Sequence, residues 1–402
     1  MFYIQKYKTF LIRKLFDILN FFYKPEKDTL FKALQYCSDN IPYYKGKGTS
    51  LEDYDYIDKR TVMDNQDMFV NSNIKIRNEG STSGTTGSPG RFLRDIKSMA
   101  LEQYYQSKYF GWKGKYRVVF RGEKLFDVNH KSDKIYKTVP FIREMYVSSF
   151  HINDRTLRSL VKKLRNIKGK CLWAYPSSAY LLAEYCLRNN EDIDFDVVAT
   201  SSEMLMDYQI EAIKKAFKCS IKDWYGQAER VAGLVRCEYG HYHQVEGYSH
   251  VEFLPYEGNT CELVGTTVHN RVMPLIRYNT HDLVELDSTR CLCGSKGANV
   301  VRIHGRKNSY IDLPGRRLHE TPLSFLFKTA RNVIEAQIVQ KKDMSIRLRV
   351  VKNERYSKKD EEHLRDIIAN YLPLEMVTLE YVDKIERNNR GKFMYVLNEN
   401  SA

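Results

Sequence analysis

The sequence predicts a large layered α/β domain over residues 1–305, followed by a small α+β domain over 309–402. Three features of the chain point to it. From about residue 94 to 300, apolar runs such as Arg117-Val118-Val119-Phe120 and Asp196-Val197-Val198-Ala199 alternate with stretches of helical period. That alternation packs helices against a sheet. Near Gly305 it gives way to a short strand–strand–helix–strand unit of domain size. The length, 402 residues, exceeds what one hydrophobic core ordinarily organises.

In chain order, residues 1–24 read as a helix with Leu11, Leu15, Ile18, Leu19 and Phe22 on one side. Such a face packs on the protein body or rests on a membrane surface. Lys6, Lys8, Arg13, Lys14 and Asp17 interrupt any signal-peptide core, and no run is long enough to span a bilayer. A short helix then stops at Asn40-Ile41-Pro42. Residues 80–90 collect four glycines, three threonines, three serines and one proline. Glycine lets a backbone approach a ligand closely, and hydroxyls with freed N–H groups can surround an anion. A flexible linker is the plain alternative. No Gly-Lys-Ser/Thr follows, so this is not the P-loop of the nucleotide triphosphatases. Helices are expected at Asp154–Arg165, Ser177–Leu187 and Tyr208–Phe217. Residues 305–309 form the candidate linker. Beyond it come strands Glu335–Gln340 and Ser345–Val351, helix Lys358–Tyr371 and strand Val377–Val382.

The net charge is +14, from 64 Lys and Arg against 50 Asp and Glu. These cations are spread along the chain without a dense tract or a nucleic-acid motif, so no nucleic-acid partner is expected. A polyanionic nucleotide or an anionic membrane surface suits such a chain. Eight cysteines in 402 residues are too sparse for a disulfide scaffold, which points to a reducing cytoplasm. Cys237, Cys291 and Cys293, with His241 or His243, offer three thiolates and one imidazole, a standard structural zinc set. Buried free thiols and surface histidines are the plain alternative.

Several motifs recur in one order. They are Ser83-Gly84-Thr85-Thr86-Gly87-Ser88-Pro89, Thr200-Ser201-Ser202-Glu203-Met204-Leu205, Tyr225-Gly226-Gln227-Ala228-Glu229, Arg277-Tyr278-Asn279-Thr280-His281-Asp282-Leu283, Gly305-Arg306 and Gly391-Lys392. In this order the chain resembles the adenylate-forming enzymes. Ile41-Pro42-Tyr43-Tyr44, Arg121-Gly122 and Tyr175-Pro176-Ser177 resemble their phenylacetate–CoA ligase-like and capsule-cluster (CapK-like) branch. The resemblance implies that Ser83, Gly84, Thr85, Thr86 and Gly87 hold ATP phosphates. It lays Ser202 and Glu203 along the adenine, stacks Tyr225 on that base beside Gly226, and gives the ribose hydroxyls to Asp282. Glu229 would hold Mg²⁺, Arg306 would precede the hinge at Asn308, and Lys392, on a mobile small domain, would enter the site during adenylation. Ala228, His281 and Asn308 depart from the usual Thr, Gly and Asp or Lys. Some members of this branch carry zinc with the histidine at the position of His243, three residues before an acid like Glu246.

The function that follows is ATP-dependent activation of a carboxylic acid to an acyl-adenylate, then transfer to CoA. The alternatives are an amine or hydroxyl acceptor on a sugar or carrier, as in surface-polysaccharide synthesis, and a nucleotide- or membrane-binding protein without turnover. The expected cofactors are ATP, Mg²⁺, structural Zn²⁺ and CoA. The expected location is the cytoplasm, with contact at the inner face of the membrane through residues 1–24 as a variant of it.

Overall fold

In the computed structural model the described residues are 17–18, 23, 28–81, 91–127, 130–307, 310–319, 330–369, 371–388 and 391–400. The phosphate-loop candidates Ser83, Gly84, Thr85, Thr86 and Gly87, the hinge candidate Asn308 and most of residues 1–24 lie outside them. The fold class is mixed α/β, as the alternation predicts. The chain forms two compact units, and each draws on two separate stretches. The first comprises Met1–Gly114 and Lys222–Ile303, the second Lys115–Ile221 and His304–Ala402.

The first unit holds a hairpin of β1 (Arg77–Ser81) and β2 (Arg91–Asp95), in which Ser81 pairs with Arg91. Helix Ile96–Phe110 follows directly, with the Asp95 carboxylate accepting from Ser98 N as its N-cap. The sheet of this unit runs in the order β11 (Ser249–Glu257), β12 (Thr260–Thr267), β13 (Tyr278–Asp287), β14 (Asn299–Arg306), β10 (Tyr242–Gln244), β9 (Gly233–Arg236) and β8 (Ser220–Gly226). One core joins Leu34, Ile41, Tyr44 and Phe69 to Phe92, Val272, Ile276 and Tyr278. Ile41-Pro42-Tyr43-Tyr44 is therefore a packing motif here, with the Tyr44 hydroxyl accepting from Ile276 N at 3.0 Å.

The second unit holds β7 (Val197–Ser201), β6 (Lys170–Ala174), β3 (Tyr116–Arg121), β5 (Glu144–Ser148) and β4 (Tyr136–Val139) in that order. The pairs β3–β5, β3–β6 and β6–β7 are parallel, and β4 is antiparallel to β5. Parallel strands are buried on both faces, which explains the unbroken apolar runs. Helices Asp154–Leu164, Pro176–Arg188 and Asp207–Phe217 cover them, and their shared core includes Val118, Phe120, Leu160, Leu182, Val198 and Ile213. The C-terminal part adds hairpin β15 (Tyr310–Leu313)–β16 (Arg316–His319) and a sheet ordered β19 (Val377–Tyr381), β18 (Ile346–Lys352), β17 (Val333–Gln340), β20 (Val396–Asn398). Helix Lys358–Ala369 packs there through Leu364, Ile367 and Ile368.

Candidate active site and metal centre

In the first unit, Tyr225 and Gly226 end β8, and Asp282 lies on β13. The Tyr225 hydroxyl donates to Asp282 Oδ2 at 2.5 Å, across 57 residues of sequence. Burial, and after it the Asp282 charge, pushes the Tyr225 phenol well above its ordinary pKa, so it stays a donor. The Asp282 amide donates to Thr280 Oγ1 at 3.1 Å, so the motif threonine sets the turn that presents the acid.

His281 has φ of 55°, the left-handed region where glycine is free of Cβ strain. This accounts for the glycine of the resembled motif. Here the ring is clamped instead: Nδ1 donates to Glu262 Oε2 at 2.9 Å, and Nε2 lies 3.6 Å from Asp58 Oδ2.

Glu229 is 7% exposed and accepts from the Tyr278 hydroxyl at 3.1 Å. The carbonyl of Ala228 accepts from Arg94 Nε at 3.1 Å and also from Nη2. Burial, with the neighbouring Arg230, pushes Arg94 down to about 10. Arg230 pairs with Glu102 on helix Ile96–Phe110. The segment carrying Tyr225 and Glu229 is thus fixed from β2, from that helix and from β13. Arg94 is the residue that sequence reasoning missed, since nothing local links it to Ala228.

The second unit carries the other motif residues. Ser202 follows β7 with φ of 75°, and its hydroxyl accepts from Arg121 Nη2 at 2.5 Å. The Arg121 guanidinium lies 4.5 Å from the Trp173 ring centroid and 5.3 Å from that of Tyr175, both cation–π distances. Arg121 therefore meets Ser202, and Tyr175 lies beside the same guanidinium.

The Glu203 carboxylate accepts from two backbone amides. One is Ser177 N at 3.1 Å, in the first turn of helix Pro176–Arg188, and the other is Phe393 N at 2.7 Å. Glu203 thus supplies the N-terminal partner that Tyr175, the N-cap residue, does not. Burial pushes its pKa up. Lys392 precedes Phe393 in a turn closed by Gly391 N to Asn388 O at 2.8 Å and Asn388 N to Lys392 O at 3.0 Å. Gly391 has φ of 70°, and a Cβ there would strike Ser149 Oγ and the Gly122 and Phe150 atoms, so the motif glycine is required for close packing. Arg306 ends β14.

The metal candidates converge in the first unit. The ligand atoms of Cys237, His243, Cys291 and Cys293 all lie within 4.8 Å of one another. Cys237 Sγ and Cys291 Sγ are 3.7 Å apart, and Cys293 Sγ is 3.2 Å from His243 Nε2. Tetrahedral zinc with Zn–S bonds of about 2.3 Å needs sulfurs about 3.8 Å apart, so the donor set fits that ion. His243 Nδ1 donates to Ala298 O at 3.3 Å, which orients Nε2 toward the thiols. Burial lowers the His243 pKa, favouring the neutral imidazole a metal requires. His241 is not in the cluster.

Residues 313–399 match the family model described as the CapK C-terminal domain. Protein CapK of Staphylococcus aureus is 24% identical over 404 residues, covering 96% of this chain and 89% of that protein. Among solved structures, 2-hydroxyisobutyryl-CoA ligase in the postadenylation state with R3-HIB-AMP has a TM-score of 0.67 at 16% identity. That match covers 92% of this chain and 88% of the ligase. The amide bond synthetase McbA from Marinactinospora thermotolerans has a TM-score of 0.52 at 16% identity, covering 76% of this chain and 66% of its own. At such identities the structural likeness establishes the fold. The chain has the fold of the adenylate-forming CoA ligases, and in sequence it is similar to protein CapK and, over residues 313–399, to the CapK C-terminal domain.

Proposed function

We propose that this protein activates a carboxylic acid with ATP. The acid's carboxylate oxygen attacks the α-phosphorus, the α–β anhydride bond breaks, and pyrophosphate leaves with the acyl-adenylate formed. The observation that carries this reading is the Tyr225–Asp282 hydrogen bond. The residues that the resemblance gives to adenine and ribose are in contact within one unit, although far apart in sequence. Asp282 can accept from vicinal hydroxyls, and Tyr225 holds its carboxylate in place. Glu229 offers a hard oxygen for Mg²⁺, which would offset phosphate charge. Zinc at Cys237, His243, Cys291 and Cys293 would be structural, with all four ligand positions taken by protein.

In this reading the chain divides into an adenylation domain, 1–305, and a small mobile domain, 309–402. Lys392 serves adenylation, and rotation near Asn308 then withdraws it for transfer. The acceptor is the CoA thiol, in line with the ligase that shares the fold. An amine acceptor is the second reading, favoured by the same fold in an amide bond synthetase. We place the protein in the cytoplasm, with residues 1–24 packed on the protein body and peripheral membrane contact through them as the variant reading. Among the described residues no helix is long and apolar enough to cross a membrane.

The test is pyrophosphate release from ATP and Mg²⁺ across a panel of carboxylic acids. At least one acid should support it. Glu229→Ala and Asp282→Ala should remain folded and lose about tenfold or more, the effect of removing one charge-assisted partner. Normal release by both variants would refute the assigned roles.

A further inference from the structure

The turn that carries Lys392 is flanked by a partly buried ionic cluster that no motif accounts for. Arg387, one residue before the turn, pairs through Nη2 with Glu335 Oε1 on β17; their side chains are 8% and 11% exposed. The Arg387 guanidinium also lies 4.6 Å from the Phe393 ring centroid, immediately after the lysine. Glu203 holds the amide of that same Phe393, and Arg387 is the principal charge favouring its ionised form. Arg387 Nη1 is buried without a hydrogen-bond partner among the described residues. Past Phe393, the Tyr395 hydroxyl accepts from Gln209 Nε2 at 2.7 Å. The described residues Asn388, Gly391 and Lys392 thus lie between held neighbours, and Arg387 pairs with the partly buried Glu335 and is the principal opposite charge acting on the partly buried Glu203.

We propose that Arg387 is the positioning residue for Lys392: it keeps Glu203 available to the Phe393 amide and packs the Phe393 ring, which together fix where the lysine enters. The inference rests on the adenylation reading. The physical reason is local. A buried carboxylate without a counter-charge takes up a proton or turns toward water. In either case it ceases to anchor the Phe393 amide, and the turn is free to shift. A displacement of about 1 Å at a reacting group can cost about a hundredfold in rate.

The experiment uses the full-length chain with any acid that supports pyrophosphate release. Arg387→Gln should slow adenylation about a hundredfold with little change in KM for ATP, and should spare acyl transfer from the pre-made adenylate of that acid. Arg387→Lys, which keeps the charge but loses the planar fork, should fall between the two. Because Arg387 acts through Lys392, the double variant Arg387→Gln/Lys392→Ala should be no slower in adenylation than Lys392→Ala alone. Additive losses, or equal losses in both half-reactions, would overturn the proposal. Hydrogen exchange supplies a readout independent of turnover: the Phe393 amide should exchange faster in Arg387→Gln, while amides of the core strand β6 keep their protection. If no acid supports release by the wild type, the adenylation reading fails. Unchanged Phe393 protection would instead show that Arg387 does not hold the turn.

Discussion

At position 281 a histidine occupies left-handed backbone that the resembled motif gives to glycine. A side chain there costs about 1–2 kcal/mol. Its contacts with Glu262 and Asp58 are partly exposed and return about 1 kcal/mol or less. His281→Ala should therefore be the least stable form, because it keeps the backbone cost and loses both partners. His281→Gly should exceed it by about 1 kcal/mol, measured from urea unfolding midpoints at equal slope. An alanine variant as stable as the glycine one would remove the strain argument. Ser202, also left-handed, is held by Arg121 rather than by carboxylates, so the two left-handed side chains have separate local partners.

At the scale of elements, the cysteine-bearing turn is the loop that the proposed zinc would fix. Cys291-Leu292-Cys293-Gly294 closes on itself through Gly294 N to Cys291 O at 3.1 Å. Leu292 between the thiols is 81% exposed, so its side chain adds no apolar packing to this turn. Purified protein should contain about one zinc per chain, measured by atomic absorption. Cys291→Ser and Cys293→Ser should lose the metal and lower the melting temperature. His243→Ala should lose it and His241→Ala should keep it. Zinc-free protein of unchanged stability would sink this reading, and the reverse order of the histidine variants would reassign the ligand.

These elements also show how far the sequence carries. The helices at Asp154–Leu164, Pro176–Arg188 and Asp207–Phe217 were legible because each buries a continuous face at helical spacing. The zinc candidates were legible because thiols and imidazoles have few other uses at that spacing. Contacts whose partners are set only by the fold were not. Arg94 reaches Ala228 across 134 residues, and Glu203 reaches Phe393 across 190. Both are charged residues of a common type, and composition cannot say whether such a residue meets solvent or a buried amide. The Thr-Ser-Ser-Glu segment could be read from sequence as the cap of its own helix. The structure has Glu203 capping the helix that begins at Pro176 instead.

On the scale of the whole molecule, the proposed alternation separates two half-reactions. Lys392→Ala should slow adenylate formation severely and leave transfer from pre-made adenylate intact. Asn308→Pro, which fixes φ and removes an N–H, should spare one half-reaction and impair the other. Single-turnover assays of each half decide this. Equal losses in both halves for Lys392→Ala would make the lysine structural.

The interleaving of the two units has a consequence for synthesis. Neither unit is encoded as one continuous stretch: the first closes only once residues up to 303 have been made, and the second needs strands beyond 304. The strand Val396–Asn398 pairs with β17 at Ile338, Val339 and Gln340. A nonsense codon shortly before Val396 would leave that apolar edge bare, and bare edges recruit other chains. Premature termination in this gene should therefore yield aggregates cleared by proteases, rather than a shortened protein that stays folded and soluble.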